Sequence, residues 1–404
     1  MFLLVISKSN ILVRLLAIGI KFLSVILITR GLELNELDNY FLYVSIAAVF
    51  SPLFGLQTFH VVLRSYNKEK NLNIIDTQLY TYGLTSLLCI FIYFLLHQEI
   101  NKYIYPNAFL LLLILFTEAI VLEVSRVLVV IGKSFSSNVV VLMNSLCYLL
   151  FGLSTIYNPS EGNVFSSWVI FLFLATFFAC AILLFSLKST AYVFFSQKFR
   201  LTECIKLVSD SKVYLLAQIL NITVLYFSRF VLESNNRPGD LTLYSLLFAF
   251  SNIIGVFLTV GIIAPISPKY MANKSCDRKF LNKILLNVFL YGLTGILFLF
   301  LSFELFVLAL NKNELLNYKF EFLILLIGFL LISLSQVYQL AFLKKNKDYV
   351  NLLSFSISAS VGVFICVFYI PIAGILGACW ALFFSALTLL IVRASVYYKS
   401  GIPK

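Results

Sequence analysis

Charge is scarce in this sequence. Asp, Glu, Lys and Arg make up only 12% of its 404 residues, and the mean hydropathy is +0.98; a water-soluble fold needs far more polar surface, so the soluble classes are excluded. Histidine is nearly absent. His60 and His97 stand in no HxxH or HExxH pattern, which leaves no basis for a metal site. The seven cysteines (Cys89, Cys147, Cys180, Cys204, Cys276, Cys366, Cys379) form no CxxC pair and read as reduced packing residues. Long hydrophilic segments are also missing. The longest runs from 188 to 212, too short for a nucleotide-hydrolysing domain. The "GKS" at Gly132 to Ser134 lacks the glycine of a P-loop five residues upstream, where Val127 stands, and reads as a helix end followed by a cytoplasmic lysine. No Ser/His/Asp set or outer-loop carboxylate pair points to catalysis, so the expectation is a non-enzyme with no cofactor and no metal. No cleavable signal is read, because the first apolar run is long enough to span a bilayer and lacks an A-x-A site.

Long apolar runs are what the sequence has. They fall near 9–30, 39–63, 74–96, 106–131, 137–157, 164–187, 212–232, 241–266, 284–308, 320–343, 350–370 and 372–397. Each is continuous and of helical length, unlike the short alternating segments of a membrane barrel, so the chain reads as an all-α integral membrane protein of about twelve transmembrane helices. At "YIPIAG" (Tyr369 to Gly374) Pro371 is expected to separate the last two. Cytoplasmic loops carry the excess of Lys and Arg. Basic connectors at 64–70, 188–212, 269–283 and 344–348 alternate with connectors at 31–39, 97–103, 157–163, 233–240 and 311–321, where acids match or outnumber cations. Both termini are therefore expected in the cytoplasm. The formal net charge of +12 follows from this bias and does not imply a nucleic-acid partner.

An internal repeat is legible. "TRGLELN" (Thr29 to Asn35) returns as "SRFVLESN" (Ser228 to Asn235), and "FSPLFG" (Phe50 to Gly55) as "FSNIIG" (Phe250 to Gly255), in the same order at nearly the same spacing. The reading is a six-helix unit used twice in the same orientation: an N-terminal lobe over 1–187, a cytoplasmic linker over 188–211 and a C-terminal lobe over 212–404. Transporters with parallel repeats bind substrate between the halves. Arg30 and Arg229 become counterparts near the outer mouth.

Several charges interrupt the apolar runs. Arg14 and Lys21 in "SNILVRLLAIGIKFLSVILITRG" are two turns apart on one helical face. Each costs about 2.5–3.5 kcal/mol near a helix centre, which favours a hydrated cavity over lipid as their surroundings. In the fourth run, Glu123 and Arg126 are spaced to neutralise each other, and Glu118 has no such partner. Those acids suit either helix binding or ion coupling. Tyr214, Gln218 and Arg229 fall near one face of the seventh run. Gln336 and Gln339 read as interhelical contacts. Arg393 and Glu304 lie near helix ends, where they can snorkel.

Twelve helices in a six-plus-six repeat, Arg and Lys in the first helix, the (S/T)R…LE pattern closing helices one and seven, and a short cytoplasmic connector resemble the Wzx-type polysaccharide flippases of the multidrug/oligosaccharidyl-lipid/polysaccharide exporter superfamily. The resemblance implies a MATE-like fold around a central cavity. It also implies translocation of an undecaprenyl-pyrophosphate-linked oligosaccharide across a bacterial cytoplasmic (inner) membrane, for O-antigen or capsule-type glycan. The implied partners are that lipid-linked anionic oligosaccharide, membrane lipid and other glycan-assembly membrane proteins. Arg14 and Lys21 match the family's cationic first helix, with Arg126 and Arg229 as further candidates. On this reading Arg14 and Lys21 hold the pyrophosphate, Arg30 and Arg229 assist at the outer mouth, Tyr214 and Gln218 touch sugar, and Glu118 and Glu123 are candidates for ion coupling. A multidrug exporter of the same superfamily and a membrane polysaccharide polymerase or ligase remain as alternatives. The first is favoured by Glu118 alone, and the second lacks the large outer loop that glycan chemistry calls for.

Overall fold

The computed structural model describes residues 8–69, 73–103, 108–157, 164–188, 199–235, 239–263, 266, 270, 278–345 and 347–399. Cys276, residues 189–198 of the expected linker and the connectors at 158–163, 236–238 and 271–277 lie outside the described residues, as does the side chain of His97. The described residues form helices and short connections, with no strand among them. In chain order the helices are α1 (Lys8–Gly31), α2 (Leu34–Phe54), α3 (Phe59–Glu69), α4 (Asn73–Tyr103), α5 (Ala108–Val130), α6 (Ser134–Tyr157), α7 (Val164–Lys188) and α8 (Leu201–Ser234). They continue with α9 (Asp240–Leu258), α10 (Arg278–Leu301), α11 (Phe303–Leu310), α12 (Lys319–Lys344), α13 (Asp348–Ala373) and α14 (Ile375–Lys399). Ten segments among the described residues are long and apolar enough to cross a membrane. The other two expected spans are occupied by α4 and α5. This is a multi-pass helical membrane protein.

Four boundaries differ from the sequence reading. The span expected over 39–63 is broken into α2 and α3. Pro52 has no N–H to give the α2 ladder, and two residues past the helix end Leu56 (φ 47°) and Gln57 (φ 55°) enter the left-handed region. The turn is tied by Gln57 Nε2, which donates to the Pro52 carbonyl at 2.8 Å, and by the Thr58 hydroxyl, which donates to the Gly55 carbonyl at 2.9 Å. The seventh span starts at Leu201, ahead of the expected 212, so the last part of the expected linker is helix. Pro371 does not divide the final pair: it sits in the last turn of α13, and the chain reverses at Gly374 (φ 55°, ψ −125°), a conformation that favours glycine. The ninth span is also interrupted, at Ser302 between α10 and α11.

The two matched stretches of the sequence both lie beside such irregularities. Gly55 closes its matched stretch just where α2 gives way to the left-handed turn. Gly255 is followed within one turn by the π-helical segment Thr259–Ile263 that ends α9. After each matched glycine α geometry is lost within about one turn: at Gly55 itself beyond α2, and at Thr259 after Gly255 in α9.

The chain forms two compact units. One takes residues 8–33 and Tyr43–Leu215 and the other takes Leu34–Leu42 and 216–399. Where lipid replaces water, apolar surface gains little by leaving its solvent, so close packing and small residues carry helix association. In the first unit α1 and α6 meet so closely that a Cβ at Gly31 would collide with Thr155, and Trp168 of α7 stacks on Phe151 of α6 with centroids 5.5 Å apart. In the second unit Phe248 of α9 meets Phe329 of α12 edge-on at 5.0 Å. There Asp38 caps α9, accepting from the Thr242 N–H at 3.0 Å and the Thr242 hydroxyl at 2.6 Å.

Candidate functional site

The first unit carries two polar groupings. The first begins with the cationic stripe of α1. Arg14 is half-buried and Lys21 exposed, and neither makes an ion pair among the described residues. The Lys21 ammonium lies 4.9 Å from the centroid of the Tyr148 ring on α6. The Tyr148 hydroxyl donates to Glu118 Oε1 on α5 at 2.6 Å, a charge-assisted bond of the stronger kind. Glu118, which has no mate within its own helix, is thus engaged from α6. Lys21 and Glu118 touch the same tyrosine, one over its ring and one at its hydroxyl, and are not salt-bridged.

The second grouping is centred on Glu123, which is 5% exposed. The three-residue spacing to Arg126 forms the ion pair it suggests, Nη1 to Oε1 at 2.6 Å. Gln78 of α4 donates to the other carboxylate oxygen at 3.1 Å. The glycine ending the "FSPLFG" stretch makes room for this carboxylate, since a Cβ at Gly55 would collide with Glu123. Arg126 also lies 5.8 Å from the Phe59 ring at the start of α3. The acid is therefore held by α4 and α5 against the α2–α3 break. In the second unit the π-helical turn has a neutral equivalent: Thr259 donates to Gln336 Oε1 of α12 at 2.8 Å, so Gln336 is an interhelical contact.

The residues expected to share one face of the seventh span are divided between the units. Tyr214 belongs to the first, where it stacks on His60 with centroids 5.0 Å apart and has the Arg64 guanidinium 5.8 Å from its ring. Neither partner is signalled by the sequence, because each lies far away along the chain. Gln218 and Arg229 belong to the second unit. Arg229 is 4% exposed and lies on aromatic faces, 4.4 Å from the Phe248 centroid and 5.1 Å from that of Tyr226. Its repeat counterpart Arg30 is exposed. One sequence expectation is overturned here. Arg393 does not snorkel: it is 0% exposed, stacked 4.6 Å from the Phe355 centroid, with Nη1 donating to Ser335 at 3.1 Å. Glu304 does stay at the surface, where Lys319 pairs with it at 2.9 Å. Among the described residues no group of three His, Cys, Asp or Glu side chains is placed to hold a metal ion.

Solved structures with the same arrangement are found along nearly the whole chain. The lipid II flippase MurJ in an inward closed conformation aligns with a TM-score of 0.70 at 13% identity, over 98% of this chain and 87% of that one. The Vibrio cholerae MATE transporter VcmN aligns at 0.63 and 13% identity over 98% and 99%. The chain has a MATE-type fold. A MATE-family transporter of the MOP superfamily in an outward-facing conformation aligns at 0.62, again at 13% identity, over 98% and 95%. No protein-family model matches the chain, and no curated protein sequence does. At these identities the likeness concerns the fold.

Proposed function

We propose that this protein is a flippase that moves an undecaprenyl-pyrophosphate-linked oligosaccharide across a bacterial cytoplasmic membrane for O-antigen or capsule-type glycan assembly, with both termini in the cytoplasm and two six-helix lobes joined by the basic 188–211 linker. The observation that carries the reading is the cationic stripe of α1: two cations within a membrane span, with no acid paired to either among the described residues. Unpaired cations at membrane depth are costly unless something anionic visits them. A sugar pyrophosphate is such a visitor, too polar for the bilayer, while its polyprenyl tail stays in lipid. Arg14 and Lys21 bind the pyrophosphate, with Arg30, Arg126, Arg229, Tyr214 and Gln218 as further contacts along the route. Glu118 and Glu123 are the candidate acids for ion coupling. A fold shared with a lipid II flippase supports the class of substrate.

A multidrug exporter is the second reading, favoured by the MATE-type neighbours. Organic cations call for free intramembrane acids, whereas here Glu118 is bound by Tyr148 and Glu123 by Arg126 and Gln78. Reconstitution separates the two. Proteoliposomes should accelerate leaflet exchange of a fluorescent undecaprenyl-pyrophosphate oligosaccharide over protein-free vesicles. No acceleration for that lipid, together with efflux of an organic cation, would replace this reading with the second.

A further inference from the structure

We infer that Tyr148 is a positioning residue that keeps Lys21 available to an anionic ligand by occupying the acid that would otherwise neutralise it. This rests on the anionic head-group reading of the α1 stripe. In a medium of low dielectric a lysine and a glutamate within reach of each other form an ion pair in preference to weaker contacts. Lys21 and Glu118 contact the same tyrosine and form no such pair. The Glu118 carboxylate instead accepts from the Tyr148 hydroxyl at 2.6 Å. The Lys21 ammonium rests on the face of that tyrosine's ring, 4.9 Å from its centroid.

An aromatic face attracts an ammonium without giving it a counter-charge, so the cation is held in place and keeps its full charge. A carboxylate would hold it more tightly and cancel it. One side chain thus separates the two opposite charges, and its own orientation is fixed: the ring meets Trp168 edge-on at 6.1 Å, and its helix is locked to α1 at the Gly31–Thr155 approach. The ligand for which Lys21 is kept free is a diphosphate or similar dianion, whose oxygens displace the ring contact without the loss of an ion pair.

The test is binding of undecaprenyl pyrophosphate to the purified full-length protein in nanodiscs, for wild type, Tyr148→Phe, Tyr148→Phe with Glu118→Gln, and Lys21→Ala. Tyr148→Phe keeps the ring and its packing and removes only the hydroxyl. It releases Glu118 to pair with Lys21, so affinity should fall by about tenfold, on the scale of one interhelical polar contact. Adding Glu118→Gln removes the competing charge and should restore affinity to near the wild-type value. A role in packing alone predicts no such rescue, since Glu118→Gln returns nothing to the hydroxyl's place. Wild-type affinity in Tyr148→Phe, or a double variant as weak as the single one, overturns the inference while a weakened Lys21→Ala leaves the head-group reading standing. Wild-type affinity in Lys21→Ala overturns both. Should Tyr148→Phe fail to accumulate, Glu118→Gln alone decides: binding at least as tight as wild type supports the inference, and weaker binding overturns it.

Discussion

Glu123 and Arg126 face each other across 2.6 Å one turn apart on α5, with Glu123 almost wholly buried. Such a pair contributes little net stability against an apolar replacement, but losing one partner leaves a charge stranded in the core, at a cost of about 3–5 kcal/mol. Arg126→Met should therefore lower membrane abundance and the midpoint of unfolding in a denaturing detergent. Arg126→Met combined with Glu123→Gln should recover most of both, because Gln78 can still bond the neutral amide. A double variant no more abundant than Arg126→Met would remove the structural account of the pair.

Arg393 poses the opposite case. Its Nη1 bonds Ser335, but among the described residues Nε and Nη2 have no hydrogen-bond partner, and the Phe355 ring lies against the guanidinium. A buried cation so poorly matched is a burden on stability. Arg393→Met keeps an unbranched stem and removes the charge, so its unfolding midpoint should equal or exceed that of wild type. Arg393→Ala empties the space and should destabilise by about 2–5 kcal/mol. Detergent unfolding of the two variants side by side checks the ordering, and a Met variant weaker than the Ala variant would contradict it.

What was legible in the sequence was periodic or local. Helix-length apolar runs name the fold class, and the Glu123 to Arg126 spacing names an ion pair. What was not legible depends on which helices meet. Tyr148 and Glu118 are thirty residues apart, and no spacing within either helix announces the bond. The stacking of Tyr214 on His60 joins α8 to α3 and is equally silent in the chain. A cation near a helix end ordinarily reaches for water, and only the packing of α12, α13 and α14 around Arg393 shows that it does not. The turn expected within Tyr369 to Gly374 is present, with its reversal at Gly374, three residues past Pro371.

Topology gives a third check. On the proposed orientation, the alternation of basic and neutral connectors predicts the segments near Gly162 and Asn236 outside and those near Lys198 and Lys274 inside. A periplasmic reporter fused after Gly162 or Asn236 should be active, and one fused after Lys198 or Lys274 silent. Activity at Lys198 would break the twelve-span order.

The α1 stripe gives the fourth prediction. If Arg14 and Lys21 bind an anionic head group, charge matters more than shape: Lys21→Arg should largely preserve surface glycan in the native host, Lys21→Ala should reduce it several-fold, and Arg14→Ala with Lys21→Ala should nearly abolish it. Protein abundance, measured on the same cells, separates this from a structural role. Had these cations been salt-bridged to Glu118 or Glu123, their removal would strand an acid in the membrane and the protein would be degraded. The carboxylates have other partners, Tyr148 for the first and Arg126 with Gln78 for the second. The double alanine variant should therefore accumulate at close to the wild-type level while glycan is lost. Full surface glycan at normal abundance in that variant would end the head-group assignment. Loss of the protein itself would mean that the cations support the α1–α6 packing, and the charge would then have to be tested by Lys21→Met, which keeps the length of the side chain on the Tyr148 ring.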